Sequence, residues 1–462
     1  MKCTVIIPFG PGHNKLALRA KKSVEEAISE GTGAFHDVTI ILMDDRDGKL
    51  GRSKARNHAV AEASRAGADW IFFLDADDLM AAHAFNIVQQ YIVDHDAVWG
   101  AIYEADIAKQ IANERPNQIT PITSLEQILI NDPYLTLQMG HFVKTKIAIK
   151  TPFNESIDCG EDIDYYLRVW KENHCLKIDQ PLFFNVRGQH SSGPRSATGQ
   201  DWRNSISQIY KNFCTENEVI SKINFNGKTI AFKLTNTLDL IQNHIARETF
   251  FELNELKETL AMIPKNSKIL DIGSNIGNHA LFFTILSESQ EIHCFEPSTT
   301  NADSLQKNFE INQVDPRRYK IHRIAIGAKS QQGTLCRPDD LNSGATSVRV
   351  DTSGPIQIES LDSTLDKNSD FDLLKIDVEG MELEVLEGGK ETIKNSRPVI
   401  LIEVSNKNKS AFFCWCEKNN YKIIHTFELV HASNYLLTSN TPKDPPPYFR
   451  QLIQNRLQKK FR

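Results

Sequence analysis

Lys268–Asn278, KILDIGSNIGN, is the stretch from which the rest of the chain is read. Ile269 and Leu270 form a short apolar strand that runs into Asp271. A loop with Gly273 and Gly277 follows, then an apolar helix-like run from Ala280 to Leu286. Strand, glycine loop and helix start make a site for an anionic or nucleoside-bearing cofactor. Glycines let the backbone approach a ligand closely, and a helix N-terminus offers unpaired N–H groups. The order G-x-x-x-G departs from the dinucleotide order G-x-G-x-x-G. Glu296 ends the next apolar strand, Ile292–Phe295, ~20 residues on, where an acid that binds ribose hydroxyls belongs.

This motif lies past the middle of a 462-residue chain, and that length suggests two or more domains. A chain 40% hydrophobic and 24% charged has enough apolar residues for real cores. The 53 basic and 59 acidic residues leave a formal charge of −6, which gives no global drive toward nucleic acid. Eight cysteines without a CxxC pair read as reduced, mostly buried thiols of a cytoplasmic protein. No apolar run reaches the ~18 residues of a transmembrane helix. The opening MKCTVIIPFG reads as a strand rather than a signal peptide.

The first half alternates. Thr4–Ile7 reads as a strand, Leu16–Ile28 as a helix and Val38–Met43 as a strand ending at Asp44 and Asp45. Ser53–Ala66 reads as a helix, with Arg52, Arg56 and Asn57 near its start. Trp70–Leu74 is a third strand, ending in Asp75-Ala76-Asp77-Asp78. Open α/β sheets bind ligands at such carboxyl ends. Carboxylates spaced by one residue suit Mg²⁺ or Mn²⁺ that also takes diphosphate oxygens. Taken alone, acids after a strand more often begin a turn or cap a helix.

The set VIIPFG, Asp44-Asp45, GRSKARNHAV and DWIFFLDADD resembles the GT-A glycosyltransferases of the family-2 type. Cys159-Gly160-Glu161-Asp162, followed by Arg168, is similar to that family's GED segment. The resemblance covers about the first 200 residues. It implies a nucleotide-sugar-binding sheet in which Asp44, Asp45, Arg56 and Asp75 meet the nucleotide sugar. By the same resemblance Asp77 and His190 hold the metal, and Asp162 beside Glu161 is the general base of an inverting transfer. For Arg52 and Arg56 the alternative is a solvated helix surface, and for His190 a packed or loop histidine. Trp99 and Tyr103 are candidates to stack on sugar rings, against the alternative of core filler.

The turn-rich segment Arg195–Asp201 and a helix-like Trp202–Thr215 place the boundary between about 200 and 220. Val219–Leu234 then alternates around Asn226-Gly227, a hairpin signal. From Val219 to Thr438 the chain resembles the FkbM-type, S-adenosylmethionine-dependent methyltransferases. The residues that carry this are KINFNGKTIAF, LDIGSNIGNHALFF, CFEPS around Glu296, NSGATSV at 342–348 and LLKIDVEGMELEVLEGG at 373–389. The resemblance implies a Rossmann-like, seven-stranded doubly wound sheet. Gly273 and Gly277 admit the methionine moiety and the adenosine, Glu296 accepts from the ribose hydroxyls, and Asp271 and Asn275 hold the loop or the methionine amino group. Asp377 and Glu379 lie at the strand edge where the acceptor sits. Glu379 also reads as a helix-start acid favoured by the dipole.

The expected domains are 1–205, a GT-A-like glycosyltransferase, 218–440, an FkbM-type methyltransferase, and 441–462, a proline-rich linker and tail. The tail carries Phe449, Leu452, Ile453, Leu457 and Phe461 at roughly helical spacing, with five basic residues and no acid from Tyr448 onward. Such a segment suits peripheral contact with the inner face of an anionic membrane, or docking as a terminal helix. The expected function is α/β and bifunctional: metal-dependent sugar transfer from a nucleotide-sugar donor to a glycan or glycolipid, and O-methylation of a sugar hydroxyl. A methyltransferase whose first domain only binds glycan or nucleotide is the alternative.

Overall fold

The computed structural model describes residues 1–187, 199–336, 342–366 and 369–439. The chain divides into two compact units, Met1–Glu216 and Asn217–Arg462. The first unit includes the whole helix Gln200–Glu216, eleven residues past the position expected to end the first domain. His190 and the 441–462 segment lie outside the described residues.

The first unit is built on a six-stranded sheet in the order Asp37–Asp44, Lys2–Phe9, Trp70–Phe73, His141–Lys144, Ala97–Trp99, Cys175–Lys177. Its first three strands are parallel, and His141–Lys144 runs antiparallel to both neighbours. The central strands are apolar because both faces are covered: Val5, Ile6, Ile7 and Ile71 to Leu74 are all fully buried. A second sheet of four short strands joins Leu79–Met80, Phe183–Val186, Tyr103–Asp106 and Ile111–Glu114. Parallel strands with helical crossovers bring their carboxyl ends to one edge. The acids after Leu42–Met43 and Phe73–Leu74 therefore share that edge.

The second unit opens with the hairpin Ile220–Phe225 and Lys228–Lys233, turned by Asn226 and Gly227, both at positive φ. Its seven-stranded sheet runs Tyr319–His322, Glu291–Phe295, Lys268–Ile272, Leu373–Ile376, Val399–Ser405, Ala432–Ser439, Tyr421–Glu428. The first five are parallel, and Ala432–Ser439 runs antiparallel to both of its neighbours. The strand order reverses between Lys268–Ile272 and Leu373–Ile376, which opens a crevice at their carboxyl ends. Lys268–Ile272 ends there in the glycine loop 273–277, and Leu373–Ile376 in a segment that carries Asp377 and Glu379. A further four-stranded sheet in this unit joins Ala325–Ile326, Ile356–Glu359, Gln331–Cys336 and Ser347–Val350. Helix Asn278–Leu286 starts directly after the glycine loop and is buried along its first seven residues.

Candidate active sites

In the first unit an open cleft of about 750 Å³ lies over the carboxyl ends of Lys2–Phe9 and Trp70–Phe73. That lies within the roughly 300–1,000 Å³ of a small-molecule site. Asp75, Asp77, Glu161 and Asp162 all border it. Asp45 and Arg56 border it too, but each is committed to the protein. The Asp45 carboxylate accepts from the backbone N–H groups of Leu50 and Gly51, both at 2.8 Å, and so fixes the turn that starts helix Gly51–Arg65. Asp44 is not among the bordering residues. It lies at the surface and pairs with Arg46 at 2.6 Å.

Arg56 is 4% exposed. Its Nη2 donates to Asp75 Oδ1 at 2.8 Å and its Nη1 to Glu161 Oε1 at 3.0 Å. Both expected readings of Arg56 are therefore amended. It is neither a solvated helix residue nor simply a nucleotide ligand, but the fork that joins two acids from distant parts of the chain.

The carboxylates of Asp75, Asp77 and Asp78 each place an oxygen within 4.8 Å of the others. Asp78 is buried and accepts from Asn185 Nδ2 and Val186 N, both at 3.0 Å. Burial and the charges of Asp77 and Asp75 push its carboxyl well above the usual range. Oxygen donors at this spacing fit a hard divalent cation. Asp75 and Asp77 both border the cleft, Asp75 held by Arg56, while Asp78 is turned into the second sheet.

Gly160 adopts φ +81 and begins helix Glu161–Glu172, whose first turn carries Glu161 and Asp162. Asp162 accepts from Ile163 N at 2.9 Å. Burial and the neighbouring Glu161 charge, opposed by Arg56, push its pKa up to about 6. A carboxylate so tuned can take a proton near neutral pH. Trp99 is 1% exposed and stacks on His141 with centroids 4.3 Å apart, so it is core rather than a sugar platform. Trp202 borders the cleft instead, brought there by helix Gln200–Glu216, which packs Ile206 and Ile209 against Gly160.

In the second unit a pocket is bordered by Gly273, Asn275, Glu296, Ser343 and Asp377. Glu296 accepts from Asn275 N at 2.9 Å and Ser298 N at 2.8 Å, one on each carboxylate oxygen. Each oxygen keeps a lone pair for a ligand hydroxyl. Burial pushes its pKa up to about 7, and donors from a ribose would lower it again. Gly273, at φ +81, is required by contact: a Cβ there would lie 1.8 Å from the Asp377 carbonyl oxygen. Loop and strand edge are thus pressed together, and a nucleoside cofactor fits the donors and acceptors present.

Gly277 and Asp271 are not among the pocket-bordering residues. Gly277, at φ +97, starts helix Asn278–Leu286 where a Cβ would lie 2.6 Å from Leu305 Cδ1. Asp271 is 1% exposed and pairs with Lys375 at 3.0 Å.

At the acceptor end Asp377, Glu379 and Glu403 each bring an oxygen within 4.8 Å of the others. Burial and mutual repulsion push Glu379 up to about 7 and Glu403 up to about 9. Glu379 is exposed and has φ +52, so it sits in a tight left-handed turn rather than in the helix that starts at Glu382. Lys375, Glu252 and His279 complete the shell, with His279 Nε2 3.3 Å from Glu252 Oε2 and Asn434 Nδ2 donating to Glu252 Oε1 at 2.6 Å. Sequence reading missed these three because nothing local marks them. Glu252 and Asn434 are 182 residues apart.

Two α/β sheets, each gathering carboxylates at its ligand edge, define a protein of the transferase class. Residues 271–437 match the family model described as methyltransferase FkbM domain, and residues 22–152 that described as glycosyl transferase family 2. Two separate regions of the chain thus match two transferase families, family-2 glycosyltransferases and FkbM methyltransferases. The chain is 30% identical to the 2-O-methyltransferase NoeI of Sinorhizobium fredii, over 28% of this chain and 60% of that protein. It is 29% identical to the hexuronic acid methyltransferase AglP of Haloferax volcanii, over 32% of this chain and 61% of that protein. The match thus spans about three fifths of the length of these relatives. Among solved structures, S. aureus TarS 1–349 in complex with UDP-GlcNAc is similar at 14% identity and TM-score 0.34, over 46% of this chain and 66% of that one. Methyltransferase FkbM from Methylobacillus flagellatus is similar at 16% identity and TM-score 0.29, over 42% and 52%. Among the described residues no helix is long and apolar enough to cross a membrane.

Proposed function

We propose that the chain is a bifunctional enzyme of glycan assembly, transferring a sugar from a nucleotide donor at the first site and a methyl group from S-adenosylmethionine to a sugar hydroxyl at the second. The observation that carries the first half is the shared cleft of Asp75, Asp77 and Asp162, which come from two strand-end and helix-start segments more than eighty residues apart. Asp162 takes the proton of the acceptor hydroxyl as it attacks the anomeric carbon from the face opposite the leaving diphosphate, which inverts that carbon. A divalent cation bound at Asp77, when present, supplies positive charge for that diphosphate. Arg56 holds Asp75 and Glu161 in place, and the described His190 neighbours end at Arg187, so a histidine ligand rests on the family resemblance.

For the second half, the reading is carried by Glu296 and the 273–275 loop bordering one pocket together with Asp377. Glu296 would accept from the ribose hydroxyls, and the 273–275 loop would hold the cofactor beside the strand edge that carries Asp377. When bound, the cofactor supplies an activated methyl group. Methyl transfer is an in-line displacement, so most of the gain is positioning, with Asp377 and Glu379 orienting the acceptor hydroxyl and taking its proton. The similarity to NoeI, a 2-O-methyltransferase, and AglP, a hexuronic acid methyltransferase, supports a sugar as the methyl acceptor.

The test is to incubate the full chain with a panel of sugar nucleotides, Mn²⁺ and methyl-labelled S-adenosylmethionine, and to follow products by mass spectrometry. A glycosylated and methylated product is expected. Asp77→Ala and Asp162→Ala should lose the glycosyl increment and keep methylation. UDP-type binding with Mn²⁺ but no transfer would instead leave the first domain a binding module.

A further inference from the structure

Lys375 lies on Leu373–Ile376, the strand at which the order of the second sheet reverses. It is 3% exposed, and its cross-strand neighbour in register is Asp271. Residues 375 and 377 share a face of the strand because side chains alternate along it. The Nζ donates to the Gly273 carbonyl oxygen at 2.6 Å, and lies 3.0 Å from Asp271 Oδ1 and 3.6 Å from Asp377 Oδ2. An ammonium has three donors and no acceptor, and here three oxygens surround it. One belongs to the cofactor loop, one to the strand that feeds that loop, and one to the acceptor edge.

We propose that Lys375 is a positioning residue of the methyl-transfer site, clamping the cofactor loop to Asp377 so that both keep their ligand-bound shape before the cofactor arrives. This rests on the methyltransferase reading above. Three facts support the clamp. A carbonyl at Gly273 can meet Nζ only while the loop folds back over Asp377, and the glycine at 273 is what permits that approach. Asp271 is 1% exposed, and Lys375 is the one cation within ion-pairing distance of it among the described residues. The remaining titratable groups facing the clamp are Glu252, His279, Cys294 and Glu296 from the segments before it in the chain and Glu379 and Glu403 from those after. They are carboxylates apart from the buried Cys294 thiol and His279, which is engaged with Glu252. Burial alone would strip the proton from Lys375, and the charges of Asp271 and Asp377 more than reverse this. Lys375 therefore acts through the loop carbonyl and through Asp377, and has no role in touching the reacting atoms.

The test uses the full chain and S-adenosylhomocysteine as probe, with affinity measured by calorimetry between about pH 5 and pH 9. Lys375→Met should weaken binding by about tenfold or more, as expected when a buried charge-assisted hydrogen bond is lost. The pH at which affinity changes should also move up by about one unit or more, because carboxylates that lose a nearby cation protonate at higher pH. Lys375→Arg keeps the charge and should keep the wild-type pH profile with a smaller loss of affinity. Should the Met variant fail to fold, Lys375→Gln keeps a donor for the Gly273 carbonyl without the charge, and should still show the shifted profile. A folded Met or Gln variant with wild-type affinity and wild-type pH profile overturns the clamp while leaving the methyltransferase reading intact. Wild-type protein that binds no S-adenosylhomocysteine at any pH overturns both.

Discussion

The two ligand edges solve the same electrostatic problem with different cations. Each sheet crowds carboxylates together where they cannot all be charged without help, and each buries one cation among them. In the first unit it is Arg56, whose flat fork spans Asp75 and Glu161 across the wall of an open cleft. In the second it is Lys375, a point charge that meets a backbone carbonyl and two carboxylates beneath a small pocket. A guanidinium suits two separated acids because its donors diverge in a plane, whereas an ammonium suits a compact shell of three oxygens. The open cleft is thus braced by a fork that spans two acids, and the smaller pocket by a point charge that ties its glycine loop to two carboxylates.

The sharpest way to break this comparison is to remove the fork. Arg56→Met leaves Glu161 buried without its partner and should cost about 3–5 kcal/mol of stability, read as a lower urea midpoint of the transition reporting the first unit. Arg56→Lys should recover only part of that, since one ammonium cannot reach both acids in the fork geometry. Next in size is the base. Asp162→Asn should slow sugar transfer by about 10²–10⁴-fold while nucleotide binding persists. In the wild type the transfer rate should fall as pH drops through about 6, because the burial that raises this carboxyl also leaves it protonated, and so unable to accept, below that point.

The pocket of the second unit should respond less steeply. Glu296→Gln keeps the shape but exchanges a charged acceptor for a neutral one, and should weaken S-adenosylhomocysteine binding by roughly 10–100-fold in calorimetry, from about 1.5–3 kcal/mol of charge-assisted hydrogen bonding. Nucleotide binding at the first site should not change.

The smallest effect concerns a cation that has no acid in contact. Lys177 is fully buried, its Nζ finds no hydrogen-bond partner, and burial together with Arg115 pushes its pKa down to about 7. In the unfolded chain a lysine holds its proton up to about pH 10. Between those two values the unfolded state binds more protons, so stability should rise as pH increases from about 7 towards 10. Lys177→Met should remove that rise and add about 1–3 kcal/mol near neutral pH, measured by thermal unfolding against pH.

Much of the architecture was legible along the chain, for local reasons. Apolar runs of four to eight residues punctuated by glycine and acid gave the strands at 2–9, 37–44, 70–73 and 268–272. Asn226-Gly227 gave the hairpin, and the loop at 273–277 gave the cofactor edge. Reading was weaker wherever a side chain had two possible employers. Asp45, Asp44, Arg56, Asp271 and Gly277 carry the residue types expected of ligand contacts, yet the turn at 45–51, the surface pair with Arg46, the fork to Glu161, the pair with Lys375 and the contact with Leu305 occupy them. Trp99, offered as a sugar platform, is buried against His141, while Trp202 went unnoticed in a helix that looked merely amphipathic.

The order of strands, the placement of acids at their carboxyl ends and the two glycine-dependent turns were determined by sequence, because each depends on neighbours within a few residues. Which cation braces which acid was decided only by tertiary structure. Arg56 meets Glu161 across 105 positions and Lys375 meets Gly273 across 102, and pairings over such distances follow from how the sheets close rather than from any local pattern.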